Sequence, residues 1–516
     1  MAEWYSSSFV EGAKTTLGVL IACLPCCVLY HIIYSIWWHP LAAFPGPFWA
    51  RITRLWIAWQ NYQGKEAITI YELHKKFGPA VRITPTMLSV SDARKLPEIY
   101  HRNAHKSAHY SVVSFEDGES DNVFTIGNPE GHAKLRKPAA RPVGLIQYRL
   151  TDAKRMEASM DDRATQFVAR LDEEFGQTGK NVDLAQWVNY LVYDAISDLV
   201  LGEPVGFVGQ GTDIGGFIQA LEDVQMLSAF QRRMYPFWRW LMSTWLAPYA
   251  TMTVEDDTMS RVFDEIYEKR LQTMGMDSEK ESEKDSEGAS LLRTILETQA
   301  QELAPLDTES TKSEVKFHFL AGIDVTAAAF QSILVYILSD GEVYKRVVGE
   351  IDSFPREVRV ARQTDILNHC PYYVACVQEA LRLCPPAPNI LPRLVSRPGM
   401  EIDGRHVPSG MEISCSPWIV NRDPSLYGND AELFRPERWL GTLEERKLLT
   451  KYSETFGYGS RTCLGKDLAM LILYKVPFQF LRVFDVECLQ CGRFVAKGGL
   501  GFWKDIWVTI SRKPSI

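Results

Sequence analysis

The first long apolar stretch of the chain is Thr15 to Trp38, "TTLGVLIACLPCCVLYHIIYSIWW", 24 residues without Lys, Arg, Asp or Glu. As a helix it covers about 36 Å, enough to cross a bilayer with some tilt. Tyr34, Trp37 and Trp38 stand where interfacial aromatic residues collect. A cleaved signal peptide is the alternative, but Glu3 and Glu11 with only Lys14 make a poor basic leader. Arg51, Arg54 and Lys65 follow the run and Lys14 alone precedes it, so the positive-inside bias leaves the C-terminal body in the cytosol. The expected organisation is a single transmembrane helix within residues 1–38, a hinge over 39–50 and one continuous body over 51–516. "HPLAAFPGP", with three prolines and a glycine, makes that hinge stiff rather than helical.

Beyond the hinge the pattern is mostly helical, with a smaller β part. "AVRITPTMLSVSD", from Ala80, alternates like a strand broken by turn residues, and "EIDGRHVPSGMEISC", from Glu401, predicts a hairpin around Gly404 to Gly410. A helical run extends from about Thr311 to Leu338, with Thr311 and Glu314 as a capping box. "MDSEKESEKDSEGAS", Met276 to Ser290, is charged and apolar-poor, a solvated connection.

Composition changes this picture little. Lys and Arg number 56 against 64 Asp and Glu, a formal charge of −8, which argues against a nucleic-acid surface spread over the protein. The ten cysteines form no dense, regular framework, and a reducing compartment fits the folded part.

One cysteine is different. In "FGYGSRTCLG", Phe456 to Gly465, Cys463 lies among glycines, two residues after Arg461 and just before the apolar helix "GKDLAMLILYKVPFQFLRVF". A helix N-terminus favours thiolate, and Gly457, Gly459 and Gly465 let N–H groups approach the sulfur. Arg461 adds a charge suited to an anion such as a carboxylate. Such a thiolate is a nucleophile or a metal ligand. Zinc is disfavoured because no second Cys or His lies near, whereas one thiolate is enough for a porphyrin-held iron.

The stretch matches the Phe-x-x-Gly-x-Arg-x-Cys-x-Gly signature of the heme-thiolate cytochrome P-450 superfamily, and the chain resembles its fungal microsomal members. The resemblance implies the cytochrome P-450 fold and heme b (iron protoporphyrin IX), with Cys463 as proximal iron ligand, Arg461 on a propionate and Phe456 packed near the sulfur. "HAKLR" resembles the Trp/His-x-x-x-Arg pattern, so His132 and Arg136 are implied propionate contacts, as is Arg393 in "PPAPNILPR". "EALR" and "FRPERW" resemble the family's structural network, here Glu379, Arg382 and Arg438. "AGIDVTAAA", Ala321 to Ala329, resembles the oxygen-binding helix segment. In it Ala321 and Gly322, on one face with Val325, leave room for cofactor and oxygen, and Asp324 and Thr326 are the catalytic candidates.

This sequence departs from the pattern there. The alcohol usually follows the acid directly, but that place holds Val325, and Thr326 comes one residue later. At about 100° per residue Thr326 points elsewhere unless the helix bulges. A water or substrate hydroxyl, such a bulge, or a rearrangement that does not cleave dioxygen would each account for it.

The resemblance further implies hydroxylation of a lipophilic small molecule with dioxygen and electrons from a separate NADPH-dependent flavoprotein reductase, at the endoplasmic reticulum membrane, in secondary metabolite biosynthesis. A non-catalytic heme sensor is the rival class. Among lesser signals, His101, His105 and His109 at i, i+4, i+8 could line a helix face, and "CLQC", Cys488 to Cys491, reads as structural cysteines. "FQRRMYPFWRWLMSTWLAPY", from Phe230, suits contact with membrane lipid or core packing.

Overall fold

The computed structural model describes residues 23–110, 122–136, 140, 150–247, 249, 258–277, 290–299, 308–355 and 358–514. The fold is mainly helical with a smaller β part. Strands β1 (Ala80–Thr84), β2 (Met87–Val90) and β3 (His105–Lys106) precede helix α1 (Leu150–Leu171), β4 (Val182–Asp183), α2 (Leu184–Leu201) and α3 (Phe217–Arg233). Then come α4 (Thr308–Leu338), α5 (Pro371–Leu383), β5 (Arg393–Leu394), β6 (Met400–Ile402), β7 (Arg405–Val407), β8 (Glu412–Ser414), α6 (Lys466–Val483), β9 (Phe484–Lys497) and β10 (Leu500–Arg512).

The predicted β segments are present. One sheet runs β1-β2-β8-β5-β3, with β2 and β8 parallel, and the long β9–β10 hairpin pairs with β4. The hairpin after Glu401 turns tightly at Asp403 and Gly404, both at positive φ, while Gly410 belongs to the next turn. Cys488 and Cys491 are joined in a disulfide on β9. Residues 101–104 are irregular and His105 opens β3, so the three histidines share no helix face. The charged connection lies outside the described residues except at its ends.

Helix α4 forms the spine. It is apolar enough by length and composition to cross a membrane, yet it is mostly buried. Phe319, Ile323, Phe330, Ile333 and Ile337 enter a core shared with α1, α2, α5 and α6. It begins at Thr308, so Thr311 sits inside its first turns rather than capping it. Asp183 caps α2 by accepting the Ala185 N–H at 3.0 Å, and Gly202 at φ 93° ends it.

The front of the chain is described from Cys23, and the apolar helix seen there is the short Cys23–Trp38. The earlier part of the expected span lies outside the described residues. Cations of the body hold this helix's end: Arg82 Nη1 donates to the Ser35 carbonyl at 2.8 Å, and Arg51 Nη2 to that of Ile36 at 2.9 Å. The hinge is equally tight. A Cβ on Gly46 would stand 2.2 Å from the Arg82 carbonyl oxygen.

Glu379, on α5, is fully buried with Arg382 and Arg438. Its carboxylate accepts from Arg382 at 2.7 and 2.8 Å, from Arg438 at 3.0 Å and from the Trp439 indole at 2.9 Å. Burial pushes its pKa up, but these donors outweigh that and hold it below the ordinary value. Arg382 also donates to the Asn421 carbonyl, whose own side chain bonds Thr455 and the Glu454 N–H. The network therefore reaches the approach to the cysteine loop.

Candidate active site

The loop closes where the Cys463 N–H donates to the Phe456 carbonyl at 2.8 Å. Gly457 and Gly459 take φ of 73° and 66°, conformations that L side chains rarely adopt. Gly459 has a second reason to be glycine, since a Cβ there would lie 2.5 Å from the Tyr100 carbonyl oxygen. Gly459→Ala is expected to destabilise the loop by about 1–3 kcal/mol, read as a lowered urea midpoint.

Gly465 ends the loop as N-cap of α6 and directs its N–H at the Cys463 sulfur. Cys463 is exposed, yet it is set so deep that burial is the first cause raising its thiol pKa. The sulfur thus opens on a space inside the protein. Gly465, Arg136 and Lys466 oppose the burial cost without overcoming it, so the polypeptide alone favours thiol. A metal cation would reverse that balance.

Helix α4 opens towards an interior space on one face. Ala321 is exposed and Val325 partly so, four residues apart on a helix otherwise packed in the core. Gly322 does not share that face as expected: a Cβ there would meet Ile196 of α2 at 3.2 Å, so its smallness serves helix crossing. The helix is unbroken, without the bulge that could swing Thr326 round, and Thr326 is 2% exposed in the core. Asp324 accepts from Tyr193 Oη at 2.5 Å and from the Gln225 amide. Burial raises its pKa to about 6 against these two donors.

The expected basic residues converge. Arg136 donates to the Thr462 carbonyl at 2.8 Å, and Arg461 to those of Ile126 and Gly127 at 3.0 and 3.2 Å. Arg393 donates to Tyr110 Oη at 3.1 Å. His132 is buried and its pKa falls to about 4, first by burial, then through Arg461, Arg136, Lys106 and Arg393. Among the described residues no carboxylate forms an ion pair with Arg136, Arg461, Arg393 or Lys106, and His132, with its lowered pKa, is neutral near pH 7.

The cytochrome P450 family profile matches residues 45–496, most of the chain. The chain is a cytochrome P450. Quiannulatic acid synthase of Emericella variicolor is 32% identical over 94% of this P450 and 93% of its own length. A pisatin demethylase of Fusarium vanettenii is 30% identical over 89% and 88%. The cytochrome P450 monooxygenase gsfF of Penicillium aethiopicum is 29% identical over 88% and 89%. These names support a P450 monooxygenase, and members of the family use heme, dioxygen, a redox partner and lipophilic substrates.

The residues present fit heme. Heme carries two propionates, and three clustered arginines with no paired carboxylate, beside Lys106 and a neutral His132 that can donate a hydrogen bond, are a site for such a dianion. A sulfur opening inward at a helix N-terminus, whose thiol a metal would ionise, suits a single iron ligand. Other groups had no signal in the P450 motifs. Lys106 lies 4.3 Å over the rings of Tyr110 and Phe124, and Tyr193 and Gln225 hold Asp324 from distant helices.

Glu454, two residues before Phe456, is 1% exposed with a pKa raised by burial to about 8. Neither carboxyl oxygen has a close hydrogen-bond partner, and the Tyr100 hydroxyl, whose one proton turns to the Leu391 carbonyl at 3.0 Å, opposes the rise only in part, as does Arg393. A raised carboxyl pKa means that the unfolded chain gives up its proton first, so stability is lost as pH rises. Relative to Glu454→Gln, the natural protein is expected to lose about 1.4 kcal/mol per pH unit from the ordinary glutamate range up to pH 8, then level off. Urea denaturation of both proteins between pH 5 and about 9 measures this.

Proposed function

We propose that this P450 hydroxylates a lipophilic small molecule in fungal secondary metabolism, with Cys463 as the thiolate ligand of heme iron. The inward-opening sulfur in its glycine loop carries this reading. In it, Arg461, Arg393, Arg136 and His132 hold the propionates, and Phe456 shields the sulfur. Heme supplies the activation of dioxygen. The chain's own groups do the rest. Ala321 and Val325 leave room above the site, and Asp324 holds a proton that it can release near neutral pH. A water or a substrate hydroxyl continues its path where Val325 stands in place of an alcohol. Thr326 is assigned to packing.

Electrons come from a separate NADPH-dependent flavoprotein reductase. A groove of about 1220 Å³ along the outer side of the cysteine loop supports its docking there: Arg446, Lys447, Lys451 and Lys466 line it, and Cys463 does not. Residues 1–38 anchor the protein in the endoplasmic reticulum membrane, 39–50 form the hinge and 51–516 the cytosolic catalytic domain. Exposed aromatics favour that placement: Trp37, Trp38, Trp49 and Trp59 at the front, and Trp240 and Trp245 after α3. Arg54 lies 4.5 Å over the Tyr235 ring and joins the two segments.

The test is the full chain with reductase in vesicles, given a panel of lipophiles. Consumption of NADPH and labelled dioxygen, with one label atom per product, is expected. Product formed without either favours a rearrangement, the reading that Val325 supports. Bound heme with no turnover on any candidate favours a sensor.

A further inference from the structure

We propose that Arg232 receives a carboxylate borne by the lipophilic substrate. This deepens the functional reading above and rests on it. Arg232 is the penultimate residue of α3, and its side chain meets only neutral protein oxygens. Nε donates to the Ser228 carbonyl at 3.3 Å and Nη2 to that of Gly498 at 2.6 Å. The carboxylate that acts on it is Glu66, but both Glu66 oxygens are already engaged by Arg233, at 2.8 and 3.0 Å. That pair is sealed, with side chains 1% and 0% exposed. Among the described residues no ion pair reaches Arg232.

An arginine so placed is costly to bury without an anion. Burial, then Arg233, pull its pKa to about 10, which leaves it charged at neutral pH. It is nevertheless partly accessible, the sign already met at Cys463 and Ala321 of a group that opens inward. The β9–β10 tip is shaped to it. Gly498 and Gly499 take positive φ, and a Cβ on Gly499 would stand 3.1 Å from Nη2 and 3.7 Å from Nη1. Nearby His109 is 3% exposed with a ring nitrogen, Nδ1, that has no hydrogen-bond partner. The site therefore offers a buried cation and an unsatisfied polar atom.

The way from there to the open face of α4 is lined by aromatic rings, with Lys106 over two of them, Tyr110 and Phe124, at 4.3 Å. Tyr110, close enough to feel Arg232, packs edge-on against Phe124 at 5.5 Å. Phe124 stacks on Phe317 at 6.3 Å, and Phe317 stands one turn before Ala321. An aromatic wall with a guanidinium at its far end suits a hydrophobic body with one anionic end.

Equilibrium binding to the full-length holoenzyme tests this, by calorimetry and by the heme spin-state shift. The probes are dodecanoate and abietate, each against its methyl ester, on the natural protein and on Arg232→Gln and Arg232→Lys. At least one acid is expected to bind about tenfold tighter than its ester, and R232Q to bring the pair within about twofold while ester affinity stays constant. R232K, with charge but no fork, should keep only part of the preference. It carries the test if R232Q does not fold, and full retention in it would count against the proposal. Equal binding of acid and ester on both scaffolds, or a preference that survives in R232Q, would overturn it. A reduced carbon monoxide complex without a thiolate signature would sink the Cys463 reading instead, so the two failures are distinct.

Discussion

Cys463→Ala is expected to abolish the thiolate-shifted Soret band of the reduced carbon monoxide complex and to lower product formation at least about a thousandfold, about 4 kcal/mol of barrier. Far-ultraviolet circular dichroism should change little. The loop is held by the Cys463 backbone N–H on Phe456 and by two glycine conformations, none of which needs the sulfur. Cys463→Ser separates ligation from mere presence of a polar atom, since a hydroxyl ionises far less readily than a thiol. A variant with unchanged spectrum would require a different iron ligand. The described residues hold no cluster of three or more His, Cys, Asp or Glu able to bind a metal.

The second large effect concerns the scaffold. Glu379→Leu should cost about 3–5 kcal/mol and leave little heme-loaded protein, because Arg382 and Arg438 would remain buried without their counter-ion. The damage should spread to the cysteine loop through Asn421, which joins Arg382 to Thr455 and Glu454. Urea unfolding of the apoprotein and the heme-to-protein absorbance ratio measure the two parts separately. Normal stability with lost heme would show that the network acts on the pocket alone.

Much of this was legible because the chemistry sits in short stretches. The cysteine loop, its glycines and the start of α6 are local facts, as are the strands from Ala80 and the spacing of Glu379 and Arg382. The departure at Val325 was equally readable, since helical geometry alone sends Thr326 into the core. What escaped was set by contacts distant in sequence. Gly322 looks like space for a cofactor until Ile196 of α2 is seen against it. Asp324 is held by Tyr193 and Gln225, 131 and 99 residues away, and neither lies in a motif. The burial of Cys463 against its helix end could not be weighed without neighbours. The histidine spacing misled because i, i+4, i+8 has meaning only inside a helix, and residues 101–104 form none.

The apolar character of α4 has a consequence for biosynthesis. While the chain is unfolded, Thr311–Leu338 has the length and composition of a membrane span, and the packing of its neighbours is what hides it from lipid. Trimming the front of the chain for expression would leave that segment in place. Yield should then follow how quickly the flanking helices close over the segment, so low temperature and ample heme during synthesis should help more than a shorter leader.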